Sequence, residues 1–396
     1  MGTEICIVGM GVISSLGIGV EENRLSLKQS KSGLRPMQYL DSVFQNQFYT
    51  GEVPYSTQDL QNKTRLFADK DYYRALYLAA IAIEELITQI SIPKSKISIF
   101  SGTTTAGVTR TEQEYSAFSK NQTQPSVFLA NMADCGSINR YLIEKFNFAP
   151  YNFTISTACS SASNAILLAV NKIRSGQIDF AICGGVDSLS RFTMNGFNSL
   201  KNMSAEPCKP FDRDRSGLNL GEAAAYLLLC KSDIADHLGL KKIATISGGG
   251  NANESYHMTG SDPRGTGALK SMERALARAG LSTSEIDHIH AHGTATTDND
   301  IAEGNAIRSL FGEKAVFSST KGLTGHTLAA SGALNLIFSI IGIQENIIWG
   351  NQGFNNPDPD HGMIPVLENT KVDLKHIMVN SFGFGGNNTS IIISKA

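Results

Sequence analysis

Strand-like and helix-like segments alternate along the whole 396-residue chain, and the series occurs twice. In the first series, "EICIVGMGVI" is typical of a buried strand, and "YYRALYLAAIAIEELI" carries apolar residues at helical spacing. Near residue 231 this series ends, and a second begins that includes the helical "GALKSMERALARAG" and the strand-like "IDHIHAH". No Pro- or Ser-rich linker separates the two. The sequence therefore predicts two closely packed α/β halves, residues 1–240 and 241–396, with helices covering buried sheets.

Composition narrows the class of protein. With 41% hydrophobic residues the chain can bury one large core or two fused ones, and a formal net charge of -2 argues against a nucleic-acid binder. The N-terminus shows no basic leader, and we expect no membrane span, because no uninterrupted apolar run reaches the roughly 18 residues that one needs. The six cysteines are scattered without a CxxC pair, which predicts reduced thiols in a cytoplasmic enzyme.

One of these cysteines, Cys159, lies where the strand-like "NFTIS" meets the helical "SNAILLAVNKIRSG". At a helix start, free N–H groups and the helix dipole stabilise a thiolate, so we expect a lowered thiol pKa. The small residues around it in "TACSSA" leave room for a substrate. Cys159 is therefore a candidate nucleophile, and a buried structural cysteine is the alternative.

Histidines alternate in "HIHAHGTATTDNDIAEG", and in a strand His288, His290 and His292 would share one face. The acidic residues that follow are Asp298, Asp300 and Glu303. This set resembles the metal site of a hydrolase. Alternatively, only His292 reaches the end of the strand where "HGT" begins a loop, and the other two are packed or solvated.

Two glycine-containing loops are further candidates. In "SSTKGLTGH", Lys321 precedes His326, and a nearby ammonium would keep that imidazole neutral. In "NSFGFGGNN", the glycines permit a turn whose N–H groups can face an anion, and Phe384 could act as a gate. An ordinary surface loop and a plain hairpin turn are the respective alternatives.

The ordered motifs "TACSSA", "HAHGTAT", "STKGLTGH" and "SFGFGGNN" resemble those of the elongating β-ketoacyl-acyl carrier protein synthases of the thiolase superfamily. The resemblance spans essentially the whole chain. It implies the α/β thiolase fold, with two similar α/β halves in a five-layered αβαβα arrangement, and usually a dimer. It also implies chemistry without a metal or resident cofactor. The substrates would be carried on the phosphopantetheine of acyl carrier protein.

Carried over residue by residue, the resemblance makes Cys159 the nucleophile that takes the acyl chain as a thioester. His292 and His326 would then donate to the malonyl thioester oxygen while carbon dioxide leaves, and the carbanion would attack the acyl group. The N–H groups of Cys159 and Phe384 would hold the oxyanion. Further implied roles are supporting charges at Lys321 and Glu303, pantetheine binding by Thr294 and Thr296, and a carrier-protein contact at Lys209. Lys63 and Arg65 are further candidates for that contact, and ordinary solvated charge is the alternative for each of the three.

The chain departs from the family pattern at several points. Asn387 stands where the family has Thr, and "GTTTAG" and "NMADCG" bring polar residues to stretches that line the acyl pocket in the resembling enzymes. We therefore predict that Thr105 and Asp134 bind substrate, and that Thr104 and Cys135 lie beside them in a polar tunnel. Such a tunnel would suit chains with polar or conjugated groups.

Other segments, "CSSASNAI" and "GLNLGE", resemble the synthases of aryl polyene and flexirubin-type pathways. A catalytically silent, chain-length-factor-like partner is a second hypothesis, although such partners generally lack the cysteine that is present here. Whether the chain pairs with itself or with a ketosynthase-like partner stays open.

Overall fold

The structure, a computed structural model, describes residues 3–64, 66–67, 70–121 and 127–396. The first half contains the strands β1 (Ile5–Ser14), β2 (Gly17–Ile18), β3 (Arg35–Pro36), β4 (Tyr49–Thr50), β5 (Ile97–Gly102), β6 (Asn152–Ile155), β7 (Phe180–Asp187) and β8 (Ala223–Lys231). Its helices are α1 (Gly19–Lys28), α2 (Thr57–Thr64), α3 (Arg74–Ile87), α4 (Val108–Asn121), α5 (Val127–Ala133), α6 (Ser137–Phe146), α7 (Ser161–Arg174), α8 (Arg191–Ser199) and α9 (Ser232–His237).

The second half repeats this composition with fewer elements. Its strands are β9 (Ala244–Asn253), β10 (His288–His290), β11 (Phe317–Ser318), β12 (Ile347–Ile348), β13 (Thr370–Lys371), β14 (His376–Gly383) and β15 (Asn387–Lys395). Its helices are α10 (Thr266–Ala279), α11 (Thr297–Phe311), α12 (Lys321–Thr324) and α13 (Ser331–Glu345).

The strands of both halves join in one mixed sheet. Among the described residues it has 11 strands, in the order β11-β10-β14-β15-β9-β1-β8-β7-β5-β6, with β2 paired to β1. The first strands of the two halves, β1 and β9, meet antiparallel at the centre. On either side the arrangement is the same, because β5 runs parallel to β6 and β7 just as β10 runs parallel to β11 and β14.

Helices form three layers around these strands. α7 and α13 share a hydrophobic core with strands of both halves, so they lie between them. α3 and α6 pack on the outer face of the first half, and α10 on that of the second, with α11 against it. The arrangement is therefore helix, sheet, helix, sheet, helix, as the resemblance predicted, with the strands of each half forming one layer and the β1–β9 pairing joining the two layers into the single sheet.

The stretch that contains α13 departs from the expectation that no apolar segment of the chain reaches the length of a membrane span. The stretch Leu328–Glu345 is 18 residues long with a mean hydropathy of 1.4, which is long and apolar enough to cross a bilayer. In the structure 89% of that stretch is buried inside the protein, between the two halves. Its apolar character is thus explained by burial on all sides.

Close contact with the sheet fixes the start of α7. A Cβ on Gly102 of β5 would lie 2.4 Å from the backbone nitrogen of Ala162, so only glycine lets α7 approach this strand. Gly185 on β7 meets the Cβ of Ala162 in the same way, at 2.8 Å. The start of α7 is therefore fixed against the sheet.

Candidate active site

Cys159 occupies the sharp turn between β6 and α7. The preceding residue, Ala158, has a φ of 52°, in the left-handed region that few non-glycine residues adopt. Hydroxyls hold the turn: Ser160 Oγ donates to the Thr157 carbonyl at 2.7 Å, and Ser161 Oγ accepts from the Thr157 N–H at 2.9 Å. The thiol is buried, with 6% of the residue exposed.

Burial controls the proton affinity of this thiol. It raises the pKa of Cys159 to about 11, while the charge of Lys321 and hydrogen bonds from the N–H groups of Phe384 and Cys159 itself act in the opposite direction. The expectation of a lowered thiol pKa is therefore wrong for the free thiol, because loss of solvation outweighs the donors. The two N–H groups nevertheless face the sulfur, so they lie beside the place where an oxyanion would form on an attacked carbonyl.

His326 is the base candidate. Its Nε2 lies 2.9 Å from Cys159 Sγ, and its backbone is fixed by bonds to the Asn219 carbonyl at 2.7 Å and from the Gly221 N–H at 2.9 Å. Burial and the charge of Lys321 hold the pKa of His326 well below its usual range, so the ring is neutral. Within the described residues Nδ1 has no hydrogen-bond partner, so nothing fixes which nitrogen carries the proton.

His292 is held differently. Lys321 Nζ lies 3.4 Å from His292 Nδ1 and also donates to the His292 carbonyl. An ammonium can only donate, so Nδ1 accepts and the proton of the neutral ring lies on Nε2. Burial lowers the pKa of Lys321 to about 8, so it is charged at neutral pH. Burial, helped by that charge, also holds the pKa of His292 well below its usual range, and its ring centroid lies 5.1 Å from that of His326.

Glu303 supports this site through the backbone. Its carboxylate accepts the N–H groups of His292 and Gly293, both at 2.8 Å, and the side-chain amide of Asn380 at 3.1 Å. Burial raises the pKa of Glu303 to about 7 against these lowering bonds. The carboxylate therefore fixes the turn that follows β10 and so the place of the His292 ring.

Two cavities meet at Cys159. The first, of about 240 Å³, is lined by both histidines and by the predicted pantetheine-binding Thr294 and Thr296, whose hydroxyls lie 2.8 Å apart. The second, of about 400 Å³, is mainly apolar. Its apolar lining residues are Ala158, Phe192, Phe197, Leu200, Leu328 and Phe384. The stacked rings of Phe197 and Phe384, with centroids 5.5 Å apart, line both cavities and separate a polar arm from an apolar one.

Comparison with known proteins agrees with this geometry. The family model described as Beta-ketoacyl synthase, N-terminal domain, matches residues 2–235, and that described as Beta-ketoacyl synthase, C-terminal domain, matches residues 243–355. The chain belongs to the β-ketoacyl synthase family. It is thus an acyltransferase by family, as predicted, and it matches both the N-terminal and the C-terminal domain of that family.

Individual relatives cover this synthase almost completely. The 3-oxoacyl-[acyl-carrier-protein] synthase 2 of Coxiella burnetii is 32% identical over 99% of this chain and 98% of its own. A structure titled as the ishigamide ketosynthase/chain length factor has a TM-score of 0.91 at 28% identity, covering 100% of both chains. The ketosynthase ApeO in complex with its chain length factor ApeC, from Xenorhabdus doucetiae, has a TM-score of 0.86 at 30% identity, covering 100% of this chain and 98% of that one. These matches confirm the thiolase fold.

The residues predicted to form a polar tunnel are only partly beside the apolar cavity. In this synthase the buried Asp187 collects the threonines of "GTTTAG": it accepts the hydroxyls of Thr103, Thr104 and Thr105. Only Thr104 lines the apolar cavity, and its hydroxyl is already bonded to Asp187 at 2.5 Å. Asp134 is exposed and accepts the Gly136 N–H at 3.2 Å. Thr105, Asp134 and the half-buried Cys135 line neither of these two cavities, and the substrate contacts of Thr105 and Asp134 stay predictions.

The histidine trio does not form a metal site. His288 contacts Ser318 Oγ at 3.0 Å, and His290 contacts Ser339 Oγ at 2.9 Å, so both are buried core residues with hydroxyl partners. Among the described residues, the group with converging ligand atoms is instead Cys159, His292 and His326, within 4.8 Å of one another. The positive charge of Lys321 beside His292 repels a cation at this group of three, which favours the assignment of Cys159 as a nucleophile.

The predicted carrier-protein contacts are placed but not tested. Lys209 Nζ lies 3.8 Å from Glu206, and Lys63 Nζ lies 4.6 Å above the ring of Tyr55. Arg65 lies outside the described residues. All three stay predictions.

Sequence reasoning missed the residues that order the loops. Asp300, considered only as a metal ligand, accepts the N–H groups of Thr294, Ala295 and Phe211 and so shapes the loop after His292. Asp187 does the same for the threonine stretch. The available signal was the position of Asp187 at the end of an apolar strand, where an unpaired carboxylate would be costly.

Proposed function

We propose that this chain is an elongating 3-oxoacyl-acyl carrier protein synthase, which condenses an acyl thioester with malonyl carrier protein. The observation that carries the proposal is the approach of His326 Nε2 to Cys159 Sγ at 2.9 Å, with His292 in the same cavity. A thiol paired with a neutral imidazole is the arrangement that activates a cysteine nucleophile.

In acyl transfer, Cys159 Sγ attacks the thioester carbonyl while its proton moves to His326 Nε2. The tetrahedral oxyanion lies at the N–H groups of Cys159 and Phe384. The pantetheine sulfur then leaves and takes the proton from His326. The acyl chain remains on Cys159 and extends into the apolar cavity.

In condensation, the malonyl thioester occupies the polar cavity. The Nε2–H of His292 donates to its thioester oxygen. His326 donates as well once the proton of its neutral ring has moved from Nδ1 to Nε2, and no described partner holds that proton on Nδ1. Carbon dioxide leaves, the enolate carbon attacks the acyl carbonyl, and the Cys159 sulfur departs. The product is a 3-oxoacyl thioester two carbons longer.

The acylation site is tested by mass spectrometry. After incubation with an acyl carrier protein thioester, a digest should contain an acylated peptide spanning residue 159, and Cys159→Ala should contain none. Acylation of the Cys159→Ala variant, or no acylation of the wild-type protein by any acyl carrier substrate, would contradict the proposal.

We propose acyl carrier protein as the partner, no resident cofactor, and a dimeric assembly in the cytoplasm. The six free cysteines support a reducing compartment. The ishigamide and Xenorhabdus structures are ketosynthase and chain-length-factor complexes, which supports a heterodimer beside the homodimer. Native mass spectrometry of the chain alone and with a co-expressed ketosynthase-like partner distinguishes the two. A silent partner role is disfavoured by the intact Cys159–His326 pair.

For the pathway, we propose the aryl polyene or flexirubin-type branch, on the motifs "CSSASNAI", "SRFTMNGFNSL" and "GLNLGE". The mainly apolar cavity accepts a conjugated hydrocarbon chain without a buried charge. A competition between saturated and polyenoyl carrier proteins of matched length is the test. Clear preference for the saturated chain would place the enzyme in ordinary fatty acid elongation.

A further inference from the structure

Asn387 joins three separate segments behind the nucleophile. It begins β15 directly after the turn Phe384–Gly386 and pairs with Gly383 across the hairpin. Its side-chain Oδ1 accepts Ser160 Oγ at 2.8 Å, Asn164 Nδ2 at 2.7 Å and Asn251 Nδ2 at 3.0 Å. Ser160 follows Cys159, Asn164 lies in the first turn of α7, and Asn251 lies in β9. One amide oxygen thus links the nucleophile turn, its helix and the neighbouring strand.

The surrounding groups close this cluster. Asn164 Oδ1 accepts Asn251 Nδ2 at 2.8 Å and Thr389 Oγ1 at 3.0 Å, and Asn164 Nδ2 also reaches Thr157 Oγ1 at 2.9 Å. Such a connected set of partly buried polar groups holds its members in one geometry. A threonine at 387, as in the family motif, has a shorter side chain and a single hydroxyl, which cannot reach all three donors.

Both donors to the nucleophile sulfur belong to the segments that Asn387 joins. The N–H of Cys159 is in the turn next to Ser160, and the N–H of Phe384 is three residues before Asn387. The two turns are in close contact, since a Cβ on Gly383 would lie 3.3 Å from the Cys159 nitrogen.

We propose that Asn387 is a positioning residue that holds the Cys159 and Phe384 N–H groups at the spacing the oxyanion needs. The inference rests on the proposed acyl transfer through Cys159. Asn387 lines neither cavity, so it acts through these two turns and not on the substrate.

The test compares Asn387→Ala with Thr389→Val, a matched control that removes a hydroxyl from the same cluster without contacting the nucleophile turn. In single-turnover acylation by an acyl carrier thioester, Asn387→Ala should lower the rate constant about 10- to 100-fold, the cost of a small misplacement of reacting groups. The KM for the carrier should change less than about twofold, because positioning affects the transition state. Thr389→Val should lower the melting temperature and leave the acylation rate near that of the wild type.

Alkylation of Cys159 by iodoacetamide gives a readout that needs no acyl substrate. Because the Phe384 N–H lowers the thiol pKa, its displacement in Asn387→Ala should move the alkylation midpoint to higher pH, with Asn387→Thr in between. Asn387→Thr also serves if the alanine variant does not fold. Equal acylation rates and an unmoved midpoint in the folded variants would overturn the inference, whereas a wild-type protein that takes no acyl group would refute the proposed function instead.

Discussion

Replacing Lys321 with methionine should separate the two half-reactions. Lys321 is buried, and its ammonium donates to the carbonyl of His292 and lies 3.4 Å from Nδ1 of the same residue. Methionine has similar length and volume but no charge and no donor. In Lys321→Met, nothing therefore holds the His292 proton on Nε2, the nitrogen that must donate to the enolate oxygen.

The expected magnitude follows from the loss of one donor. Removing a single oxyanion donor costs about 100- to 1,000-fold in rate. The variant should therefore release carbon dioxide from malonyl carrier protein about 100-fold more slowly. Acyl transfer should slow less, about tenfold or below, because His326 remains beside Cys159 and Lys321 contributes to this step only by lowering the pKa values of the thiol and of His326.

Both steps can be measured on one preparation, by carbon dioxide release from malonyl carrier protein and by single-turnover acylation of Cys159. Ser339→Ala is the control, because it removes the hydroxyl partner of the buried His290 and leaves the reacting groups in place. Equal slowing of both steps in Lys321→Met, or decarboxylation at the wild-type rate, would refute the tautomer argument.

Three further predictions follow from the burial and the charge of individual side chains. Iodoacetamide alkylation of Cys159 should keep rising above pH 9 towards a midpoint near 11, and a plateau below pH 8 would contradict the burial effect. The pKa of Lys321 falls from 10.5 in the unfolded chain to about 8 in the folded protein, so the unfolded chain binds more protons between these two pH values. The free energy of unfolding of the wild type should therefore rise by about 3 kcal/mol relative to that of Lys321→Met as the pH rises from 8 to 10.5. Parallel stability curves of the two proteins would disprove this. Lys209→Glu should weaken use of carrier-bound substrates at low salt more than at high salt, and an equal loss with a small pantetheine thioester would indicate misfolding.

The sequence predicted the elements with long apolar patterns well. "EICIVGMGVI" became β1 and "YYRALYLAAIAIEELI" became α3, because burial of a continuous apolar face decides both. "IDHIHAH" was less well predicted, since its strand covers only His288–His290. His292 lies beyond that strand, where the carboxylate of Glu303 binds the backbone and redirects the chain. A contact with a residue eleven positions later on another element leaves no local pattern.

The same limit applies to the direction of the threonine hydroxyls and to the mistaken thiol pKa. A run of three threonines indicates polar side chains but not the direction of their hydroxyls, and a distant carboxylate, Asp187, binds all three. Of the three threonines, only Thr104 lines the second cavity, where its neighbours are aromatic and aliphatic residues. The wall of that cavity is therefore mainly apolar although the threonine segment itself is polar. Likewise, a helix start predicts donors at Cys159, and the donors are present, but the depth of burial that outweighs them depends on the packing of both halves. Motifs therefore identified which groups meet, whereas their proton affinities and exposed faces depended on long-range packing that no single segment encodes.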